Sequence, residues 1–248
     1  MEQRKFIVMK KYDYLVVNGC SYTNGLGCDN LMSERFSKLL SDKLNCTEVN
    51  ISLNGGSNDR IIRTTYNYIK RLTGDFKSKK NVLFIFGLSG ITRKDVWVNW
   101  PKKDVEGRYC QFNFAHRKLK NGMGFARKLD LTEKNISSKD SIKFFELYLK
   151  HFFDESETNR RTFQQLDMLQ SFIKDKIPNG QMILFSSLCH GINWKMKNKF
   201  NWFEFGKHET WDDFIKSKSK TLRNIGHPNT EAHKLMSEDL YQYIKDEL

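Results

Sequence analysis

The chain has 248 residues, 39% hydrophobic and 13% aromatic, with only 3 prolines and 15 glycines, which excludes a disordered or low-complexity chain and suits one domain with a sizeable core. Lys and Arg number 42 against 29 Asp and Glu, a formal charge of +13. The surplus favours anionic ligands, but the lysines are spread along the chain with no arginine-rich arm, zinc-finger pattern or helix-turn-helix signature, so a lysine-rich solvated surface is the simpler explanation and nucleic acid is not the favoured partner.

The five cysteines, Cys20, Cys28, Cys46, Cys110 and Cys189, are odd in number and form no CxxC pair. That usage indicates reduced thiols and a cytoplasmic protein. The opening "MEQRKFIVMKKYDYLVV" has neither an adequate apolar h-region nor a small-residue cleavage site, so no signal peptide, membrane span or membrane partner is expected.

Short apolar runs alternate with helical patterns. "YDYLVVN" (12–18) is the first strand. "LMSERFSKLLSDKL" (31–44) is an amphipathic helix, "TEVNIS" (47–52) a second strand, and "NDRIIRTTYNYIKRL" (58–72) a helix with Ile61, Ile62, Tyr66 and Ile69 inward. "NVLFIFGL" (81–88) is apolar without alternation, as in a parallel strand covered on both faces. Residues 90–140 are basic, aromatic and irregular, with "VWVNW" as a short strand. Residues 141–177 are helical in two pieces, broken near "FFDESETNRR", with Ser156 or Thr158 as the second cap. "QMILFSSL" (181–188) is the fourth strand, residues 190–222 form a second aromatic-basic insert, and a helix of about 17 residues starts at Thr230. This order predicts a single α/β domain over 1–248: three layers, α/β/α, flavodoxin-like, a parallel sheet with helices on both faces. Sites in such sheets lie beyond the carboxyl ends of the strands.

Four loops stand at those ends or beside them. Strand one runs into Gly19-Cys20-Ser21-Tyr22-Thr23, strand two into "NISLNGGSND", and strand three into Gly87-Leu88-Ser89; "RNIGHPN" precedes the last helix. Taken together they resemble the SGNH/GDSL hydrolase superfamily. Gly19-Cys20-Ser21 looks like its Gly-Asp-Ser block, Asn50 with Gly55-Gly56-Ser57 like its second block, and Gly87-Leu88 like its third, with Ser89 where the family has asparagine. His227-Pro228-Asn229 looks like the last block, with Asn224 at the aspartate position.

The resemblance implies a serine esterase. Ser21 is the nucleophile and His227 its base, because a hydroxyl attacks only once a neighbour takes its proton. The backbone N–H groups of Ser21 and Gly55 and the side chain of Ser89 form the oxyanion hole. Two departures matter. Asn224 replaces a carboxylate; its amide oxygen, a backbone carbonyl or Glu231 are the alternatives for orienting the histidine. Ser89 replaces an amide, and Asn58 or Arg93 are substitute donors.

Other residues have plainer roles. Cys20 is expected to be a small apolar packer and His233 a surface or helix-packing residue; His116, His151 and His208 are scattered, while His190 follows strand four within reach of the site. His227 and His233 lack the spacing of a zinc motif, so no metal and no cofactor is expected. Trp97 and its neighbours, interleaved with Arg and Lys, suit sugar rings or bases, although a satellite core for the inserts is the favoured explanation. The expected function is removal of a small acyl group, such as O-acetyl, from a carbohydrate or other small polar substrate through an acyl-serine. The alternative is an inactive SGNH-fold protein that binds an anionic glycan or nucleic acid.

Overall fold

The computed structural model describes residues 11–72, 80–98, 108–113, 147–148, 150–189 and 197–248. His190, His116 and most of the first insert lie outside these residues. In chain order the described elements are β1 (Tyr14–Asn18), α1 (Ser21–Asn24), α2 (Leu31–Glu34), α3 (Phe36–Lys43), β2 (Thr47–Asn50), α4 (Asn58–Arg71), β3 (Val82–Leu88), β4 (Arg93–Val98), β5 (Arg108–Asn113), α5 (Glu155–Lys176), β6 (Gly180–Ser186), β7 (Asn201–Trp202), α6 (Trp211–Lys218), β8 (Arg223–Asn224), β9 (His227–Pro228) and α7 (Thr230–Glu247).

Five of the strands form one sheet in the order β2-β1-β3-β6-β7, with every pairing parallel. Strand order reverses between β1 and β3, which makes the carboxyl ends of these two strands the switch point of a flavodoxin-like sheet. Alternate residues of β1 face opposite layers. Leu15 and Val17 join Phe36, Leu40, Met236 and Leu240 in the layer of α3 and α7. Val16 joins Ile61, Ile69, Leu166 and Ile173 in the layer of α4 and α5. All seven residues of β3 are buried, as its unbroken apolar run predicts. Each large apolar side chain so enclosed contributes roughly 1.5–3 kcal/mol.

Several boundaries differ from the sequence reading for identifiable reasons. The helix expected over 31–44 breaks at Arg35, which is extended at φ −66°, ψ 146°. There the N–H of Phe36 leaves the helical ladder and donates to His233 Nδ1 at 3.0 Å, while the Arg35 guanidinium forks onto Glu48 of β2 at 2.8 Å through both Nε and Nη2. On α4 the inward residues are Asn58, Ile61, Thr65 and Ile69, while Tyr66 is 40% exposed. The cap of α5 is the Asp154 side chain, which accepts from Glu157 N, rather than Ser156 or Thr158. The irregular stretch after residue 90 begins as an antiparallel hairpin of β4 and β5. In the second insert, Phe203, Phe205 and Trp211 belong to the main core instead of a satellite.

His233 is not a surface residue. It is fully buried, stacked on Phe36 at 5.9 Å and edge-on to Trp211 at 5.0 Å. Because Nδ1 accepts from Phe36, the ring is held neutral; burial, then the nearby Arg35 charge, lowers its pKa from 6.5 to about 3. The unfolded chain therefore binds one more proton than the native state between these values. This share of the stability is complete above pH 6.5 and is lost at about 1.4 kcal/mol per pH unit as pH falls towards 3. Urea unfolding at pH 7, 5 and 4 should show wild type losing stability faster on acidification than His233→Gln; parallel curves would contradict this.

The β8–β9 hairpin turns through two residues, Ile225 at φ 49° and Gly226 at φ 78°. Positive φ at both centres is the requirement of a type I′ turn, which Asn-Gly meets and a β-branched residue resists. Ile225 is 87% exposed, so its side chain contributes little burial to offset the strain. Ile225→Asn is expected to raise stability by about 1 kcal/mol, measured by the thermal midpoint.

Candidate active site

Ser21 opens α1 immediately beyond β1 and is only 4% exposed. Its Oγ lies 2.9 Å from His227 Nε2, a residue 206 positions away. The other ring nitrogen, Nδ1, lies 3.1 Å from the carbonyl oxygen of Ile225. A carbonyl only accepts, so Nδ1 carries the proton of the neutral ring and the Nε2 lone pair faces the serine hydroxyl. This is the tautomer that a serine-activating base requires.

Elements from both sides hold the loop around Ser21. The Asn18 side chain accepts from Gly19 N at 2.9 Å, and its amide donates to the Ile61 carbonyl at 3.0 Å and to Thr64 Oγ1 at 2.9 Å, tying the end of β1 to α4. Asn50 Nδ2 donates to the Thr23 carbonyl at 3.3 Å, and Asn24 Nδ2 to Asn54 Oδ1 at 3.1 Å. Cys20 is fully buried in the core, as a packing residue would be.

The glycines of the second loop divide their duties. Gly55 takes the left-handed φ of 81° that turns the chain. Gly56 permits contact, since a Cβ there would stand 2.8 Å from the Gly19 carbonyl oxygen. The turn thus seats directly on the backbone two residues before Ser21.

The expected helpers are placed differently. Asn224 is exposed and sits opposite His227 in the hairpin, but among the described residues the partner of Nδ1 is the main chain of Ile225 and no Asn224 side-chain bond to the ring is present. Glu231 pairs with Lys234 at 2.6 Å. Ser89 is fully buried, and its Oγ is enclosed without a hydrogen-bond partner among the described residues. Asn58 is bound to the same loop: Oδ1 accepts from Ser89 N at 2.8 Å and Nδ2 donates to the Ser89 carbonyl at 3.0 Å. Arg93 reaches the Gly56 carbonyl at 3.5 Å. Trp97 lies in β4 opposite Tyr109. A cavity of about 640 Å³ between α4 and α5 is lined by Ile62, Arg63, Tyr66, Asp95, Met168 and Phe172 among others, and by none of the residues that contact Ser21 or His227.

Sequence reasoning missed a polar cluster beneath the hairpin. Tyr22 donates to Asp212 Oδ1 at 2.6 Å, and Arg223 Nη2 reaches both Tyr22 Oη at 3.0 Å and the Gly226 carbonyl at 2.5 Å. Burial, then the bond to Asp212, pushes the Tyr22 phenol well above its usual value, so it stays a donor. The one available signal was "TWDD", a threonine cap with acids in the first turn of a helix inside a stretch otherwise taken as loose.

The same architecture occurs in solved structures. The crystal structure of TesA is 12% identical, with 95% of this chain and 100% of that chain covered at a TM-score of 0.51. A member of the lipolytic protein G-D-S-L family from Veillonella parvula is 11% identical, with 94% and 98% covered at a TM-score of 0.50. At such identities the likeness establishes the fold. No curated protein matches the chain. Among the described residues, no helix is long and apolar enough to cross a membrane. Residues 28–188 match a family described as "Family of unknown function (DUF6071)", a span that starts after Ser21 and stops before His227. The chain belongs to that family of unknown function, DUF6071.

Proposed function

We propose that the chain is a serine acyl hydrolase that removes a small acyl group, such as acetyl, from a carbohydrate or other polar alcohol. The observation that carries this reading is the continuous path Ile225 carbonyl, His227, Ser21 Oγ, with contacts of 3.1 and 2.9 Å. The acceptor side is the polar one in this proposal, because the sequence shows no long apolar lid and its inserts interleave aromatic residues with Arg and Lys, as suits sugar rings. One similar solved structure is of a member of the lipolytic protein G-D-S-L family, which agrees with ester chemistry.

In the proposed reaction Ser21 Oγ attacks the acyl carbonyl while its proton passes to His227 Nε2. The backbone N–H groups of Ser21 and Gly55 receive the oxyanion; as the first residue of α1, Ser21 has an N–H without an intrahelical acceptor. The tetrahedral adduct collapses, the alcohol leaves with the proton from Nε2, and an acyl-Ser21 ester remains. Water then attacks this ester and gives its proton to Nε2. Collapse releases the carboxylic acid and returns the proton to Ser21 Oγ. The Ile225 carbonyl orients the ring throughout and takes the place expected for Asn224.

Fluorophosphonate labelling together with hydrolysis of p-nitrophenyl acetate tests the reading. Labelling and turnover are expected in wild type, with a fall of about 10³-fold or more in kcat/KM for Ser21→Ala and for His227→Ala. Folded wild type that neither labels nor turns over in a Ser21-dependent way would instead support a fold retained without its chemistry. Asn224→Ala is expected to leave kcat/KM unchanged; a large loss there would return the orienting role to its side chain.

A further inference from the structure

Orientation by a carbonyl raises a geometric difficulty. A carboxylate three residues before the histidine would contribute both charge and a hydrogen bond. The Ile225 carbonyl contributes only a dipole, and it sits on a strained, solvent-exposed turn at φ 49°. Something must hold that turn in register with Ser21.

The cluster beneath the hairpin has the right connections. Asp212 is 6% exposed, and its backbone N–H donates to the Ser187 carbonyl at 3.3 Å, just past the end of β6. The preceding residue, Trp211, is 1% exposed and packs edge-on against both Phe36 and Tyr22. This carboxylate is thus fixed to the core. It accepts from Tyr22 at 2.6 Å and pairs with Arg223 Nη2 at 3.2 Å and Lys216 Nζ at 2.5 Å. Arg223 in turn donates to the Gly226 carbonyl, the peptide group that joins the turn to His227. Tyr22 follows the nucleophile in sequence, and its ring lies 5.5 Å from the His227 ring. One connected set of side chains therefore touches the residue after Ser21 and the peptide before His227.

We infer that Asp212 and Arg223, acting with Tyr22, are positioning residues that lock the β8–β9 turn so that the Ile225 carbonyl stays aimed at His227 Nδ1 and Nε2 stays aimed at Ser21. This rests on the Ser21–His227 reading above and deepens it. The acid absent from the usual place is not replaced in kind. With Arg223 and Lys216 both on Asp212, the cluster offers the imidazole no surplus negative charge, so its contribution is geometric. A shift of about 1 Å in a reacting group can cost on the order of 10²-fold in rate, so anchoring of this kind is consequential.

The test compares wild type, Arg223→Gln, Asp212→Asn and Arg223→Lys, with folding verified by thermal unfolding. Two quantities are read: kcat and KM for p-nitrophenyl acetate, and the ¹⁵N–¹H signal of the protonated Nδ1 of His227. Arg223→Gln and Asp212→Asn should lower kcat by roughly ten- to hundred-fold with KM little changed. The same variants should weaken the Nδ1–H signal, and Arg223→Lys, which keeps one donor, should recover part of both. A folded Arg223→Gln with kcat within about twofold of wild type and an unaltered Nδ1–H signal overturns the inference. If Asp212→Asn does not fold, the half-exposed Arg223 decides. If wild type shows no Ser21-dependent turnover, the hydrolase reading falls, and the anchoring is decided on the Nδ1–H signal alone.

Discussion

Close approach of main chain to main chain beyond the end of β1 governs the site. A side chain at Gly19 would stand 2.2 Å from Thr23 Oγ1 and 3.0 Å from the Gly87 carbonyl, and one at Gly87 would meet the same Thr23 oxygen at 2.4 Å. The Thr23 hydroxyl is thus enclosed between the ends of two neighbouring strands. With Gly56 seated on Gly19 from the other side, three loops meet with almost no intervening side chain. The parallel sheet accounts for this convergence: β1 and β3 pair in register through Asn18 and Phe86, so their exits are level with each other. Ser21 is presented by that junction, and displacement of any of the loops would move it.

The other half of the site arrives from far along the chain and is held by different means. The hairpin bearing His227 has little core of its own, and Asn224, Ile225 and Gly226 are all exposed. Its placement depends on α7 behind it, where Asn229 caps the helix and donates to the Thr221 carbonyl at 2.7 Å, and on the polar cluster below. Burying a carboxylate is costly unless it is paired and hydrogen-bonded. Here the Asp212 carboxylate engages three separate partners. The same economy appears at Arg35 and Glu48, where a forked ion pair fixes the break between α2 and α3.

The fold was legible because its signals are local. The unbroken apolar run of β3, the amphipathic faces of α4 and α7, and the turns at Gly55-Gly56 each occupy a few adjacent residues. Ser21 and His227 stood out through short blocks at strand ends. The misreadings share a cause of the opposite kind. The break at Arg35 is made by His233, 197 residues from Phe36. The aromatics around Trp211 read as loose because their partners, Tyr22 and Phe36, lie at the other end of the chain. Ser89 and Asn58 offer donor side chains in the sequence, whereas in the structure Asn58 bonds reciprocally to the Ser89 main chain, which no side-chain pattern encodes.

The Ile225 carbonyl carries a consequence for how such proteins diverge. An orienting carboxylate must be inherited as an amino acid, and its loss is visible in an alignment. An orienting peptide group is inherited as a bend in the chain. On the proposed reading, positions 224 and 225 serve the site through the bend of the main chain and not through the chemistry of their side chains. A chain built this way would keep the short contacts at its serine without the acid that a motif search looks for. Such chains are better sought by the shape of the turn before the last helix than by the letters written there.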